Sequence, residues 1–279
     1  MPESVPTAAE VTERFSKRYE IGQAQVLRDI ERVACGCDYG GTSWTSRKEA
    51  DAIAGSLGLK AGSRLLEVGA GSGWPGLYLS KSTDCDVTLI DLPLSGLKIA
   101  KERAELDQHR GSTWVSVADG GNIPFRDNSF DAIFHSDVLC CLPDKLAVLK
   151  SCKRVLCPGG KMVFPVIFIT PGLSAEDYQR AIDGGPPFVE TPNDYPALLD
   201  LAGWEMTERI DLTADFLKSV QAFLALEESR GEDLTELLGA EPYSDTLARR
   251  RAKVLALEKG LLRRELFSAT QKSPETPEW

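Results

Sequence analysis

Over the first sixty positions, apolar residues recur every three or four places, the spacing that turns one helical face towards a core. Thr7-Ala-Ala-Glu10 has capping-box spacing and predicts a first helix. Val26, Leu27, Ile30, Val33 and Ala34 stripe a second, over Gln23–Ala34. Ser46-Arg-Lys-Glu49 is another capping box; it opens a helix that buries Ala50, Ile53, Ala54 and Leu57 and meets Gly58 as its cap. From Arg64 short apolar runs alternate with helical periods. Strands are predicted at Arg64–Val68, Asp86–Ile90, Thr113–Val117, Ala132–Phe134, Lys161–Phe168, Trp204–Leu212 and Glu265–Ala269. Between them lie helices near Trp74–Ser80, Leu94–Leu106, Lys145–Val155 and Ala175–Ile182, and one opened by Thr191-Pro192 that runs through Leu201. Ala214–Lys259 is mostly helical.

Short apolar strands joined by helices pair in parallel. The predicted fold class is therefore α/β: a doubly wound, mostly parallel seven-stranded sheet with N-terminal and late helical cap segments. The chain divides into an N-terminal helical cap (1–60), a core (61–212), a helical insertion or lid (213–262), a last core strand (263–270) and a disordered tail (271–279). Residues 1–6 read as disordered too.

Charge narrows the partners. A formal net charge of −10 over 279 residues disfavours a duplex nucleic acid, which needs a basic face against its phosphates. Arg249, Arg250, Arg251 and Lys253 form the nearest basic patch and read as a solvated helix face. No apolar run reaches membrane-span length, and Met1-Pro2-Glu3-Ser4 lacks the pattern of a secretory signal, so a cytoplasmic location is expected. Of seven cysteines, most lie in apolar stretches where reduced thiols are the default. Cys35-Gly-Cys37 and Cys140-Cys141 lack a second pair at finger-like spacing, so no metal is expected.

In an open parallel sheet ligands bind at the C-terminal strand ends. The first end carries Glu67 and a turn with Gly69, Gly71, Gly73 and Gly76. Without Cβ atoms such a turn lets a ligand approach the backbone closely. The second end carries Asp91, the third Asp119-Gly120-Gly121, the fourth His135-Ser136-Asp137. Gly71-Ser-Gly-Trp-Pro-Gly76 also satisfies a dinucleotide fingerprint, but Glu67 would repel a pyrophosphate there. A cofactor with an ammonium, ribose hydroxyls and an adenine amine suits three acids on successive strand ends. That description fits S-adenosylmethionine better than NAD.

The stretch from Asp38 to Phe168 resembles a class I S-adenosylmethionine-dependent methyltransferase of the group acting on small molecules. The resemblance rests on L-L-E-V-G-A-G-S-G at Leu65–Gly73, L-I-D-L-P at Leu89–Pro93 and A-D-G-G-N-I-P-F at Ala118–Phe125. F-D-A-I-F-H-S-D at Phe130–Asp137 and L-C-P-G-G-K at Leu156–Lys161 complete it. It implies a Rossmann-like methyltransferase fold in which Glu67 and the loop Gly69, Ala70, Gly71 and Gly73 hold the methionine end. It also implies Asp91 on the ribose, Asp119 and the Gly120 amide on adenine, Leu92 and Ile123 lining the adenine slot, and Ser136 beside the cofactor. The product would be S-adenosylhomocysteine.

The acceptor is then a small molecule methylated at O or N, with neither nucleic acid nor membrane as partner. Catalytic candidates are Asp137, as general base or helix N-cap, and His135, as proton acceptor or backbone contact. A third is Tyr39, as a hydroxyl over the site or a packing residue. Trp44 covers the site or packs in the core. Phosphoethanolamine-type methyltransferases place a histidine four residues after the aspartate; Cys141 stands there. Gly185-Pro-Pro-Phe188 resembles a base-methylation motif but follows the fifth strand, and reads as a stiff loop near the substrate rim. A non-catalytic cofactor-binding subunit and a peptide methyltransferase stay as alternatives.

Overall fold

The computed structural model describes residues 7–107 and 110–272. Residues 1–6, the tail beyond Lys272 and His109 lie outside the described residues, as do the predictions of disorder made for both ends. Three helices come first, α1 (Ala8–Gly22), α2 (Gln25–Cys35) and α3 (Arg47–Leu57). Both capping boxes form: Thr7 with Glu10, and Ser46 with Glu49, exchange side-chain and backbone hydrogen bonds. Gly58 closes α3 at φ 63°, a left-handed conformation that a Cβ disfavours.

The core follows as β1 (Arg64–Val68), α4 (Gly76–Thr83), β2 (Asp86–Asp91), α5 (Leu94–Leu106), β3 (Thr113–Val117), β4 (Phe130–Phe134), α6 (Lys145–Val155) and β5 (Leu156–Ile169). Then come α7 (Ala175–Gly184), α8 (Tyr195–Leu201), β6 (Trp204–Asp211), α9 (Thr213–Ser229), α10 (Gly231–Leu238), α11 (Ala240–Glu258) and β7 (Leu262–Gln271). The sheet order is β3-β2-β1-β4-β5-β7-β6. Strands β1 to β5 pair in parallel, and β7 runs antiparallel between β5 and β6.

Alternate residues of the central strands feed two cores. Leu66, Ile90, Ile133, Met162 and Phe164 pack on one face, and Leu65, Leu89, Phe134 and Val163 on the other. Burial on both faces explains why these strands read as continuous apolar runs. The strand order reverses between β1 and β4, which opens a crevice at their C-terminal ends.

Several boundaries move, three of them for a visible reason. β5 begins at Leu156, because Phe130 pairs with Leu156 before the register shifts to Ala132 and Lys161. β7 spans Leu262–Gln271, since β5 pairs with it from Leu262 and β6 pairs with it as far as Gln271, so the predicted tail starts too early at 271. α8 is capped by Asp194, whose carboxylate accepts the Ala197 amide at 2.8 Å, with Pro196 in the first turn. Thr191 instead donates to Asn193 O in the preceding turn. Replacing Asp194 by alanine is therefore expected to cost about 1 kcal/mol in a denaturant melt. Thr191→Ala should cost measurably less; equal losses would contradict the assignment of the cap.

Candidate active site

The turn after β1 takes its shape from three glycines, with Gly69, Gly71 and Gly73 at φ of 72°, 52° and 96°. Side chains are also barred by proximity: a Cβ on Gly69 would lie 2.4 Å from Val138 Cγ2, and one on Gly71 2.8 Å from the Tyr19 ring. The Gly69 and Ala70 amides donate to Ile90 O, which ties the turn to the end of β2. Asp91 continues this link. Its Oδ2 accepts the Gly71 amide at 2.8 Å and the Tyr19 hydroxyl at 3.4 Å, and its Oδ1 accepts the Leu92 amide at 2.8 Å. Burial pushes the Asp91 carboxyl up to about 6, against the pull of these hydrogen bonds.

Glu67 points elsewhere than the sequence suggests. Its carboxylate accepts the Gly76 amide at 3.0 Å, at the start of α4, and the residue is 1% exposed. It does not line the cavity described below. Burial raises its carboxyl to about 8, opposed by the Gly76 bond and assisted by the charge of Asp91. A helix start that would otherwise attract a phosphate is thus already occupied by an acid.

At the end of β4, Ser136 and Asp137 enter a polar network. Ser136 Oγ lies 2.7 Å from Thr45 Oγ1 and 3.0 Å from Ser43 Oγ, and donates to Asp137 Oδ2 at 3.2 Å. Asp137 stands at φ 53°, unusual for a residue with a Cβ, and its amide donates to Pro165 O. Both carboxylate oxygens are held by Arg264, at 3.0 and 3.1 Å. Arg264 is fully buried on β7 and also donates to Glu49 at 2.6 Å. Burial opposes its charge, but Asp137 and Glu49 hold the guanidinium firmly protonated. Glu49 Oε2 meanwhile caps α3 through the Ser46 amide. Asp137 does not cap a helix; the short turn after it starts from Val138.

A cavity of about 830 Å³ runs from the turn into the helical cap. Gly69, Ala70, Gly71, Ser72, Asp91, Leu92 and Ser136 line one part. Elsewhere Tyr19, Trp44, Cys141, Phe223 and the loop Gly185-Pro186-Pro187 line it, so α1, α2 and α9–α11 supply its walls. Trp44 packs edge-on against Phe216 and Phe223, which serves wall and core together. Gly73 packs beneath the turn, where a Cβ would lie 2.6 Å from Leu77 Cδ1. Asp119, Gly120 and Ile123 are not among the lining residues. The exposed Asp119 carboxylate accepts the Gly121 amide, Gly120 packs on Val68, and the Ile123 amide donates to Ser151 Oγ.

Two catalytic expectations are corrected. His135 is fully buried and stacked on Phe164 at 4.5 Å, with no hydrogen-bond partner on either nitrogen. Burial pushes it down to about 3, so it stays a neutral core residue. Tyr39 is packed against Trp74 under the Arg103 guanidinium and does not reach the cavity. The cysteine pair gains an unforeseen neighbour: Cys35, Cys37 and Glu31 cluster in the core, with Glu31 accepting the Gly40 and Gly41 amides. Tyr19 and Arg264 escaped the sequence reading. Tyr19 is one more apolar-face residue of α1. Arg264 falls just before the predicted start of its strand, and Arg263 and Glu265 beside it make it read as one of a charged run.

A family model described as a methyltransferase domain matches residues 66–164. The 27-O-demethylrifamycin SV methyltransferase of Amycolatopsis mediterranei is 30% identical over 210 residues, covering 72% of this chain and 76% of its own. A phosphoethanolamine N-methyltransferase of Triticum aestivum is 30% identical over 215 residues, but the chain spans only 42% of that protein. Among solved structures, a Haemonchus contortus phosphoethanolamine N-methyltransferase 2 superposes with a TM-score of 0.76 at 19% identity, covering 98% of this chain and 62% of that one. The cyclase SpnF superposes with 0.75 at 20%, covering 97% and 98%. The chain belongs to the class I S-adenosylmethionine-dependent methyltransferases. The cofactor of that class fits the residues present. The turn leaves no room for side chains, Ser72 Oγ is buried beside it without a partner, and the adjoining cavity is of ligand size.

Two outcomes test this geometry. Arg264→Met strands two carboxylates in the interior and should cost about 3–5 kcal/mol; an unchanged melting temperature would contradict the triad. Glu67 binds its proton more tightly folded than unfolded, so it erodes stability as pH rises from 4.5 towards about 8. Glu67→Gln retains an acceptor for Gly76 and should melt progressively higher relative to the parent across that window. A constant offset at pH 5 and 8.5 would show that Glu67 is not perturbed.

Proposed function

We propose that the protein transfers the methyl group of S-adenosylmethionine to an O or N nucleophile of a small molecule. The observation that carries this reading is one continuous cavity that joins the glycine turn and Asp91 to the space between the core and the helical caps. The backbone of Gly69–Gly73 would seat the methionine end, with Glu67 bracing the turn through the Gly76 amide. Asp91 and Leu92 would meet the ribose, Ser136 would flank the cofactor, and Asp119, Gly120 and Ile123 would take the adenine. The bound cofactor supplies an electrophilic methyl group.

The chain's own contribution is positioning and exclusion of water. The Tyr19 ring covers Gly71 and its hydroxyl meets Asp91, so α1 closes over the cofactor end. Burial holds the Tyr19 phenol well above its usual range, which keeps it a donor rather than a base. Asp137 reaches the cavity wall, but both oxygens are engaged by Arg264, which makes it a positioning residue for Ser136 and Thr45. This arrangement suits a nucleophile that needs little help in losing its proton. The reading includes a cytoplasmic location, in keeping with seven free thiols. No helix among the described residues is long and apolar enough to cross a membrane.

A cofactor-binding role without methyl transfer is the second reading, favoured by the engagement of both Asp137 oxygens by Arg264. Calorimetry with S-adenosylhomocysteine tests the first step. Binding is expected, and Asp91→Ala should weaken it by about 1.5–3 kcal/mol. Absence of binding by folded protein would overturn both readings. Binding without transfer to any of a broad set of amines, phenols and alcohols would select the second.

A further inference from the structure

The protein carries a formal net charge of −10, yet the wall of its cavity formed by α1 and α11 is basic. Arg18, Arg249, Arg250 and Lys253 all line it. Arg250 is balanced: Glu227 takes it in a bidentate pair at 3.1 and 2.6 Å, and its guanidinium lies over the Trp44 and Phe223 rings. Arg18 and Lys253 form no ion pair with any described residue. Lys253 spends one donor on Gly184 O at 2.5 Å. Arg18 lines the cavity and is exposed to solvent there.

The acids around the cavity are already engaged. Glu227 pairs with Arg250, Asp137 with Arg264, and Glu13 with Lys17. Glu31 accepts the Gly40 and Gly41 amides, Asp91 those of Gly71 and Leu92, and Asp183 accepts Gln179. Arg18 and Lys253 also feel the charge of their basic neighbours. Burial and repulsion from Arg250 and Arg18 bring the half-buried Lys253 down to about 8. Cations that line one cavity without an acid of their own offer an anion its charge partner.

We propose that Arg18 and Lys253 form an oxyanion subsite for the methyl acceptor, so that the acceptor carries a phosphate or carboxylate as well as its nucleophile. The inference rests on the methyltransferase reading. Arg18 adjoins Tyr19, which covers the cofactor end, so an anion held by Arg18 and Lys253 lies in the chamber next to the methyl-donor site. Arginine offers a fork of donors and lysine keeps two free, which together match the several lone pairs of an oxyanion. The aromatic wall of Trp44 and Phe223 would pack the body of the acceptor.

The test titrates inorganic phosphate, and separately acetate, into protein saturated with S-adenosylhomocysteine at constant ionic strength set with chloride. Saturable binding of either anion is expected, weakened about tenfold or more in Arg18→Met and in Lys253→Met. Lys253→Arg should retain it, and melting temperature and S-adenosylhomocysteine affinity should be unchanged in all three variants. Tighter phosphate would mark a phosphorylated acceptor, and equal or tighter acetate a carboxylated one. No binding above chloride, or binding indifferent to both methionine variants, overturns the subsite while leaving the methyltransferase reading intact. Loss of S-adenosylhomocysteine affinity in Arg18→Met or Lys253→Met would assign the cations to the cofactor's own carboxylate and also overturn it. Failure of the parent to bind S-adenosylhomocysteine would instead strike the underlying reading.

Discussion

A single buried cation holds the site together. Arg264, with no exposure, joins the end of β4 through Asp137 to the start of α3 through Glu49. Asp137 is thereby fixed in a left-handed conformation, and Ser136 beside it is aimed at Thr45 and Ser43. The loop that carries these hydroxyls also carries Trp44, a wall of the cavity. Taking a guanidinium out of water is favourable only with its partners in place, so the triad is cooperative: losing one member leaves the others buried and unmatched. A strand that returns antiparallel from a long helical excursion thus supplies the bolt between core and cap.

The glycine turn solves a different electrostatic problem. A helix start after β1 would draw phosphate to itself, as it does in dinucleotide folds. Here Glu67 is folded under the turn and occupies the Gly76 amide. Glu67 thus works on the helix start from behind the backbone rather than across the cavity, with Asp91 as the acid on the cavity side. The same protein places unpaired cations on the opposite wall. On the proposed reading the cavity runs from a cofactor end at Asp91 to an acceptor end at Arg18 and Lys253, a polarity that would orient an anionic acceptor.

The parallel core was legible because its strands are buried on both faces and its helices carry local start and stop signals. Both capping boxes and the bounds of β1, β3, α5 and α6 follow from such local chemistry. The glycine turn and the acid after β2 were legible because backbone conformation and spacing constrain them. The orientation of Glu67 was not, since a strand-end carboxylate can serve the helix start or the ligand and only packing decides. His135 looked reactive by residue type, yet its neighbours in space, Phe164 above all, make it a core ring. Arg18, Lys253 and Arg264 come from segments far apart in the chain, and no local pattern announces that tertiary structure brings them to one chamber and its frame.

A crystal structure with S-adenosylhomocysteine tests the central claim most directly. The account predicts the cofactor along Gly69–Ser72 with its ribose at Asp91, and with the methyl-facing side of its sulfur opening on the chamber bounded by Arg18 and Lys253. A cofactor seated elsewhere, or one whose sulfur faces away from that chamber, would contradict it.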